Sequence, residues 1–314
     1  MECPFVSVVI PTRNRLNLLK QAIEGIRRQD YPRDAFEVIV VDDGSTDGTL
    51  PWLQSLAERR DEITIKPLTH AHGGPGAARN LGIESARGEF VAFTDDDCIP
   101  DDDWLSNLVA AMVESPCAAL GGRIVCRETQ GLISRYCAHI GFNTSLSRGD
   151  WLDSLNTANT IIRASVLRET GGFDVHFRFP TAEDTEITNR MRHLGYDYGK
   201  CFVATVSHLA RDTCWGLHRT FFNRGLGEGY IRGKRRPPLK SAVFLVLSAV
   251  KVVSNALPAI IEPLIIGTIN LARKRFPMPD AYCFPLMDRT TRVAKHCGHL
   301  AGMATYCLKP KTRR

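Results

Sequence analysis

The stretch that most constrains this chain is Phe90-Val-Ala-Phe-Thr-Asp-Asp-Asp-Cys-Ile-Pro100, where five residues suited to a buried strand run straight into three acids. A near-continuous apolar run marks a parallel strand covered on both faces, and open α/β sheets bind ligands beyond the carboxyl ends of such strands. Asp95, Asp96 and Asp97 therefore fall where a ligand is expected, and Pro100 is expected to block any continuation of the strand. Adjacent carboxylates repel one another, so their pKa values rise unless a cation neutralises them. Hard oxygen donors of this kind suit Mg²⁺ or Mn²⁺. A solvated acidic loop is the plain alternative.

Two further junctions weaken that alternative. Phe36-Glu-Val-Ile-Val-Val-Asp-Asp-Gly-Ser45 ends a second β-rich run in Asp42-Asp43 and a turn, and Val6-Ser-Val-Val-Ile-Pro-Thr-Arg-Asn14 reads as a strand stopped by Pro11. Each junction leads into apolar residues at helical spacing: Leu16, Leu19, Ile23 and Ile26; Leu50, Leu53 and Leu56; Leu105, Leu108 and Met112. A weaker strand over 62–66 precedes Pro75, which suits the first turn of another helix. Strands alternating with helices specify an α/β fold, a mostly parallel sheet with helices on both faces.

Two partial motifs fail on inspection. Gly74-Pro-Gly76-Ala-Ala-Arg79 has an arginine where a dinucleotide fingerprint needs its third glycine. Asp43-Gly-Ser-Thr-Asp47-Gly48 begins like a calcium loop, but Gln54 stands at the closing bidentate position. His296-Cys-Gly-His299 matches no common structural zinc spacing.

Taken together and in order, VVIPTRN, VIVVDDGSTDGT, GPGAARNLGI and GEFVAFTDDDCIP resemble the family 2 glycosyltransferases, whose nucleotide-binding core is the GT-A fold. The resemblance runs to about residue 215, implying a domain over 1–215 and a helical extension over 216–314. It implies an inverting, metal-dependent transfer of sugar from a nucleoside diphosphate sugar, UDP-linked by family frequency, to a hydroxyl acceptor. Asp95–Asp97 would be the family's Asp-x-Asp motif, with Asp97 as metal ligand, Asp95 facing the ribose or a metal-bound water, and Asp96 in either role. His208 would be a further ligand; its alternative is a satisfied histidine beside an apolar strand. Pro11, Thr12 and Arg13 would line the nucleotide. Asp43 would accept a hydrogen bond from the base, with Asp42 bracing the turn. Arg79 would approach the nucleotide or the acids; otherwise it is an ordinary surface arginine. EDTEITNRMRHLGY carries the paired acids Glu183 and Asp184, and Asp184 falls on the position of the family's general base. Negative charge at a helix start is the structural reading of the same pair. Thr181 and Asp184 have the spacing of an imperfect capping box. Asn159 and Gly171-Gly-Phe-Asp174 resemble acceptor-side elements.

The net charge of +6 is unevenly spread, with basic clusters at 232–240, 273–275 and the C-terminal tail. No nucleic-acid motif accompanies them, so nucleic acid is excluded as a partner and an anionic membrane surface fits better. Residues 241–271 are strongly apolar but broken by Lys251 and Glu262, which suits an in-plane membrane helix, a hairpin or a buried pair. Ten cysteines without a Cys-x-x-Cys pair, behind a start that lacks a signal core, imply a reduced, cytoplasmic protein, peripheral at the inner face of the cell membrane. The partners expected are a sugar nucleotide and a glycan or lipid-linked acceptor. Two other functions fit the acids: a nucleotidyltransferase making the activated sugar, and a catalytically silent sugar-nucleotide scaffold. The first would need a Gly-rich, Lys-bearing triphosphate loop that Pro11-Thr-Arg-Asn14 does not supply.

Overall fold

The structure, a computed structural model, describes residues 3–59, 63–127, 131–139, 154–177, 182–209, 213–235, 286–288, 290–299 and 301. These divide between two compact units.

The first unit holds Met1–Arg127, Gly141–Arg178 and Glu183–Leu209. Its chain runs β1 (Val6–Thr12), α1 (Leu16–Arg27), β2 (Phe36–Asp42), α2 (Thr49–Glu58), β3 (Thr64–Thr69), α3 (Pro75–Ser85), β4 (Phe90–Thr94), β5 (Cys98–Pro100), α4 (Trp104–Glu114) and β6 (Ala119–Arg127). After α5 (Leu132–His139), which lies in the second unit, come β7 (Asn159–Arg163), α6 (Ala164–Thr170), α7 (Glu183–His193) and β8 (Tyr198–Leu209). The eight strands form one sheet in the order β3-β2-β1-β4-β7-β6-β8-β5. Pairing is parallel through β3-β2-β1-β4 and for β6 with β8, and antiparallel for β7 with both neighbours and for β5 with β8. All strands but β7 and β5 thus point the same way, and the sheet is mixed but mostly parallel.

The pleat sorts side chains to two cores. Val8 and Ile10 pack with Leu19, Ile23 and Ile26 of α1, Leu53 of α2 and Leu105, Leu108 and Met112 of α4 on one face. Val9, Ile39 and Val41 face Ala78 of α3, Leu167 of α6, and Ile187 and Met191 of α7 on the other. Helix α3 lies close on the sheet because Gly82 carries no side chain; a Cβ there would sit 2.5 Å from Val9 Cγ1.

Two prolines behave differently from the expectation. Pro11 lies inside β1, in register with Val41, rather than ending the strand. Pairing of β1 with β4 stops at Val9–Phe93, so beyond it β1 has only β2 beside it and the missing N–H costs no ladder bond. Strand β4 ends at Thr94, before the acids, and Pro100 instead closes the short strand β5. Strand β8 is interior, between β6 and β5, with a register shift opposite Gly122–Arg123.

The second unit comprises Glu128–Ile140, Phe179–Ala182 and Ala210–Arg314. Its described parts are α5, α8 (Cys214–Arg235) and a helical stretch over 286–288 and 290–299. Within it, the Tyr136 hydroxyl donates to Asp288 at 2.6 Å and Lys295 pairs with Glu228 at 2.6 Å. Residues 241–271 lie outside the described residues, so the apolar segment has no structural account. No helix among the described residues is long and apolar enough to cross a membrane.

Candidate active site

Strand order creates the site. The chain passes from β1 to β2 to β3 on one side, then returns to place β4 on the other side of β1. Such a switch point leaves a crevice beyond the strand ends, where no crossover covers the sheet. Thr12 at the end of β1 and Asp95–Asp97 after β4 open into it together. The Thr12 hydroxyl donates to Asp96 Oδ2 at 2.8 Å.

The acid cluster is held by two arginines. Arg15 places one guanidinium nitrogen 2.9 Å from Asp96 Oδ1 and 2.9 Å from Asp97 Oδ2. Burial raises the Asp96 carboxyl to about 6, against the pull of Arg15 and with the help of the Asp97 charge. Arg79, on α3, donates from one terminal nitrogen to Asp95 Oδ1 and from the other to Glu183 Oε1, both at 2.9 Å. Its side chain is buried and its guanidinium stacks 5.6 Å from the Phe173 ring centroid. Burial works against the Arg79 charge, but Asp95, Asp184 and Glu183 outweigh it and raise its pKa above the ordinary value. The surface reading of Arg79 is therefore wrong: it is a buried tie between the strand-end acids and the acids that open α7.

Asp184 is set by the start of β7. The Thr157 backbone N–H and hydroxyl donate to its two oxygens at 3.1 and 3.0 Å. Burial, and then the neighbouring Glu183 charge, push the Asp184 carboxyl up to about 7, while Arg79 draws it down. The carboxylate turns to Thr157 rather than to a helix cap, and Thr181 lies outside the described residues.

Asp43 lies beyond the end of β2. It accepts from Gly73 N at 2.8 Å, Gly74 N at 3.1 Å and the His72 ring at 2.7 Å, and His70 Nε2 lies 3.3 Å away. Arg13 is exposed, with a guanidinium nitrogen 3.1 Å from His72 Nε2. Pro11 is half-buried in β1. Asp42 braces the turn as expected: both its oxygens lie 3.2 Å from the Ser45 N–H that they accept.

His208 on β8 is in register with Cys98 on β5, and its Nε2 stands 3.4 Å from Asp97 Oδ1. Donor atoms of Asp97, Cys98 and His208 lie within 4.8 Å of one another, all in buried residues. A carboxylate in the turn before β5 and an imidazole on β8 suit a first-row divalent ion such as Mn²⁺, so these residues fit a metal.

Sequence reasoning passed over Arg15, Thr157 and the His70–His72 pair. Arg15 stood two residues beyond Arg13 in the same polar tip, and nothing local marked which of the two basic side chains turns inward. Asn159 proves to be a structural staple. Its side chain accepts from Trp104 Nε1 at 2.8 Å and donates to the Arg123 and Ala204 carbonyls at 2.9 and 3.0 Å. Gly122 makes room for it, since a Cβ there would lie 2.3 Å from the amide.

Fold and cluster together define an α/β protein with a buried acidic site at its strand ends, and the comparisons give its family. The profile described as Glycosyl transferase family 2 matches residues 7–171. Glycosyltransferase AglE of Haloferax volcanii is 30% identical over 234 residues, covering 73% of this chain and 74% of AglE. The pre-mycofactocin glycosyltransferase of Mycobacterium tuberculosis is 30% identical over 234 residues, 69% of this chain but only 46% of that protein. The mannosyltransferase PcManGT of Pyrobaculum calidifontis, in complex with GDP-Man and Mn²⁺, shares the fold with a TM-score of 0.62 at 20% identity, over 94% of this chain and 86% of that one. The chain belongs to the family 2 glycosyltransferases. Membership sets aside the nucleotidyltransferase reading.

Proposed function

We propose that this glycosyltransferase moves a sugar from a nucleoside diphosphate donor to an acceptor hydroxyl with inversion, using a divalent metal at Asp97 and His208. The observation that carries the reading is the Arg79 bridge, which joins Asp95 just after β4 to Glu183 beside Asp184 and so ties the strand-end acids to the acids that open α7.

In this reading the donor lies over the strand ends. Thr12 and Pro11 flank the nucleotide, and Asp43, with the backbone amides that order it, faces the base. Guanine and uracil both present ring N–H groups to a carboxylate, and the fold relative bound to GDP-Man keeps guanosine in play beside uridine. Asp95 and Asp96 lie toward the ribose and diphosphate. Asp97 and His208 would hold a divalent ion, which would supply charge neutralisation for the departing diphosphate. Asp184, oriented by Thr157, takes the proton from the acceptor hydroxyl as the oxygen attacks the anomeric carbon. A carboxyl raised to about 7 is well suited to hold that proton near neutral pH. One displacement inverts the centre. Glu183 keeps Arg79 in place and raises Asp184.

The acceptor belongs to a glycan or a lipid-linked precursor, and the basic clusters flanking 241–271 support work at an anionic membrane face. The test is a screen of UDP- and GDP-sugars with Mn²⁺ or Mg²⁺, following nucleoside diphosphate release and the anomeric configuration of the product. Release only without metal, or a retained configuration, overturns the reading.

A further inference from the structure

Arg15 has no place in the scheme above, yet it occupies the most charged point of the site. It follows Asn14, whose positive φ of 53° turns the chain sharply after β1. Asn14 is pinned in that turn: its N–H donates to the Ser45 hydroxyl at 2.8 Å, and its side-chain oxygen accepts from Thr46 N at 2.7 Å. The next residue, Leu16, donates its N–H to Asp47 Oδ2 at 3.0 Å. Arg15 is thus aimed from both sides, and a single nitrogen reaches Asp96 Oδ1 and Asp97 Oδ2 at 2.9 Å each. The opposite oxygen of Asp97 faces His208 at 3.4 Å.

One carboxylate, Asp97, therefore lies between a fixed positive charge and the imidazole that would complete a metal site. A divalent cation at Asp97 and His208 would share that carboxylate with the guanidinium, and the two positive charges would repel across it. Arg79 does not create the same conflict, because its hydrogen bonds go to Asp95 and Glu183. The two arginines also differ in freedom. The Arg15 side chain is 31% exposed and Arg79 only 4%, so Arg15 has an open side toward which it can turn.

We propose that Arg15 is the internal counter-cation of Asp96 and Asp97, keeping free divalent metal off Asp97 until a diphosphate arrives to take its charge. Resting on the metal-dependent reading above, this makes metal and nucleotide binding mutually dependent. Arg15 shields the carboxylates when nucleotide is absent, then turns its guanidinium to the diphosphate oxygens, for which its fork of donors is suited. Each ligand then tightens the other by the same factor, as linkage requires. The residue acts on order of binding as well as on affinity, which a purely structural arginine would not do.

The experiment titrates Mn²⁺ at pH 8 by electron paramagnetic resonance, with and without UDP or GDP, on the wild type, Arg15→Gln and Arg15→Lys. Two positive charges brought to one carboxylate cost enough, even in water, that removing one should tighten Mn²⁺ on the order of tenfold. In Arg15→Gln without nucleotide, Mn²⁺ should therefore bind about tenfold more tightly than in wild type. The enhancement produced by nucleotide should shrink correspondingly. Arg15→Lys, whose single ammonium can replace the single bridging nitrogen, should stay near wild type. If the Gln variant fails to fold, Arg15→Met serves the same comparison, with folding checked by thermal melts. Unchanged or weaker Mn²⁺ binding in the folded neutral variant, while wild type binds Mn²⁺ with nucleotide, overturns the role of Arg15 and leaves the metal reading standing. Absence of Mn²⁺ binding in every chain, with and without nucleotide, overturns both.

Discussion

The two acid clusters, Asp96–Asp97 after β4 and Glu183–Asp184 at the start of α7, carry similar charge but are neutralised in opposite styles. The first is held from a loop by Arg15, which keeps an open side; the second is tied by Arg79, packed on Phe173 with hardly any exposed surface. A charge pair with an open side can be exchanged for a ligand at small cost to the fold. A pair enclosed by the core cannot, because removing one partner strands the other in a medium that does not solvate it. The contrast separates a cluster that must admit a ligand from one that must hold a carboxylate still.

Breaking the enclosed pair gives the largest effect. Arg79→Met leaves Glu183 without its guanidinium, and should lower unfolding free energy by about 3–5 kcal/mol, read from chemical denaturation midpoints. Arg15→Gln, at the open cluster, should lose less, because Asp96 keeps the Thr12 hydroxyl and Asp97 keeps His208 beside it. Equal losses would remove the distinction between the two clusters.

The open cluster is then tested by its proposed ligand. Asp97→Asn keeps the shape of the side chain and removes the charge shared by Arg15 and His208. Loss of an outer partner of a metal ligand already costs about 10–100-fold in affinity, so loss of a ligand should exceed about a hundredfold in metal-dependent nucleotide binding by calorimetry. Metal-dependent affinity that survives in the variant takes Asp97 out of the site.

At the enclosed cluster, Asp184→Asn should leave donor affinity nearly intact and lower turnover by roughly a hundredfold, the scale of a lost general base. Thr157 still has an oxygen to donate to, so the loop should stay ordered. If turnover persists in this variant and vanishes in Glu183→Gln, the two acids exchange roles.

The difference between the clusters also marks how far the sequence could be read. Strands β1, β2 and β4 were legible because burial on both faces makes each an apolar run, and the acids after β2 and β4 were legible as abrupt ends to those runs. Local pattern carries such information. The second half of the sheet is joined by contacts that no window contains: Asn159 reaches Trp104, Arg123 and Ala204 across 36 to 55 residues. Arg79 was open to two readings for the same reason, since its partner Glu183 lies 104 residues away. Pro11 misled because a proline ends a strand only where its missing N–H is needed, and that depends on the neighbour beyond Val9. Arg15 and Arg13 look alike in sequence; the turn at Asn14, fixed by the next loop, decides which one faces the acids.

The smallest effect is a shift in pH dependence, and it tests the enclosed cluster as an electrostatic unit. Asp184 must be ionised to accept a proton, so turnover should rise with pH through about 7 and level off above it. Two neighbours set that midpoint against the effect of burial: Glu183 raises it by repulsion and Arg79 lowers it by attraction. Glu183→Gln removes the repulsion and keeps a side-chain oxygen for the Arg79 hydrogen bond. It also leaves Arg79 with one fewer competing carboxylate, so its attraction for Asp184 grows. Both changes favour the ionised form, and the acid limb should move to lower pH by up to about one unit, the size of a single nearby charge. Stability gives the matching sign. A carboxyl raised above its unfolded value is protonated in the folded chain and ionised in the unfolded one at intermediate pH, so stability on its account falls as pH rises from about 4 to about 7. Asp184→Asn should flatten that slope, and Glu183→Gln should narrow its window from the upper end. An acid limb that stays in place or moves upward in Glu183→Gln would show that Glu183 acts on Asp184 through position and not through charge.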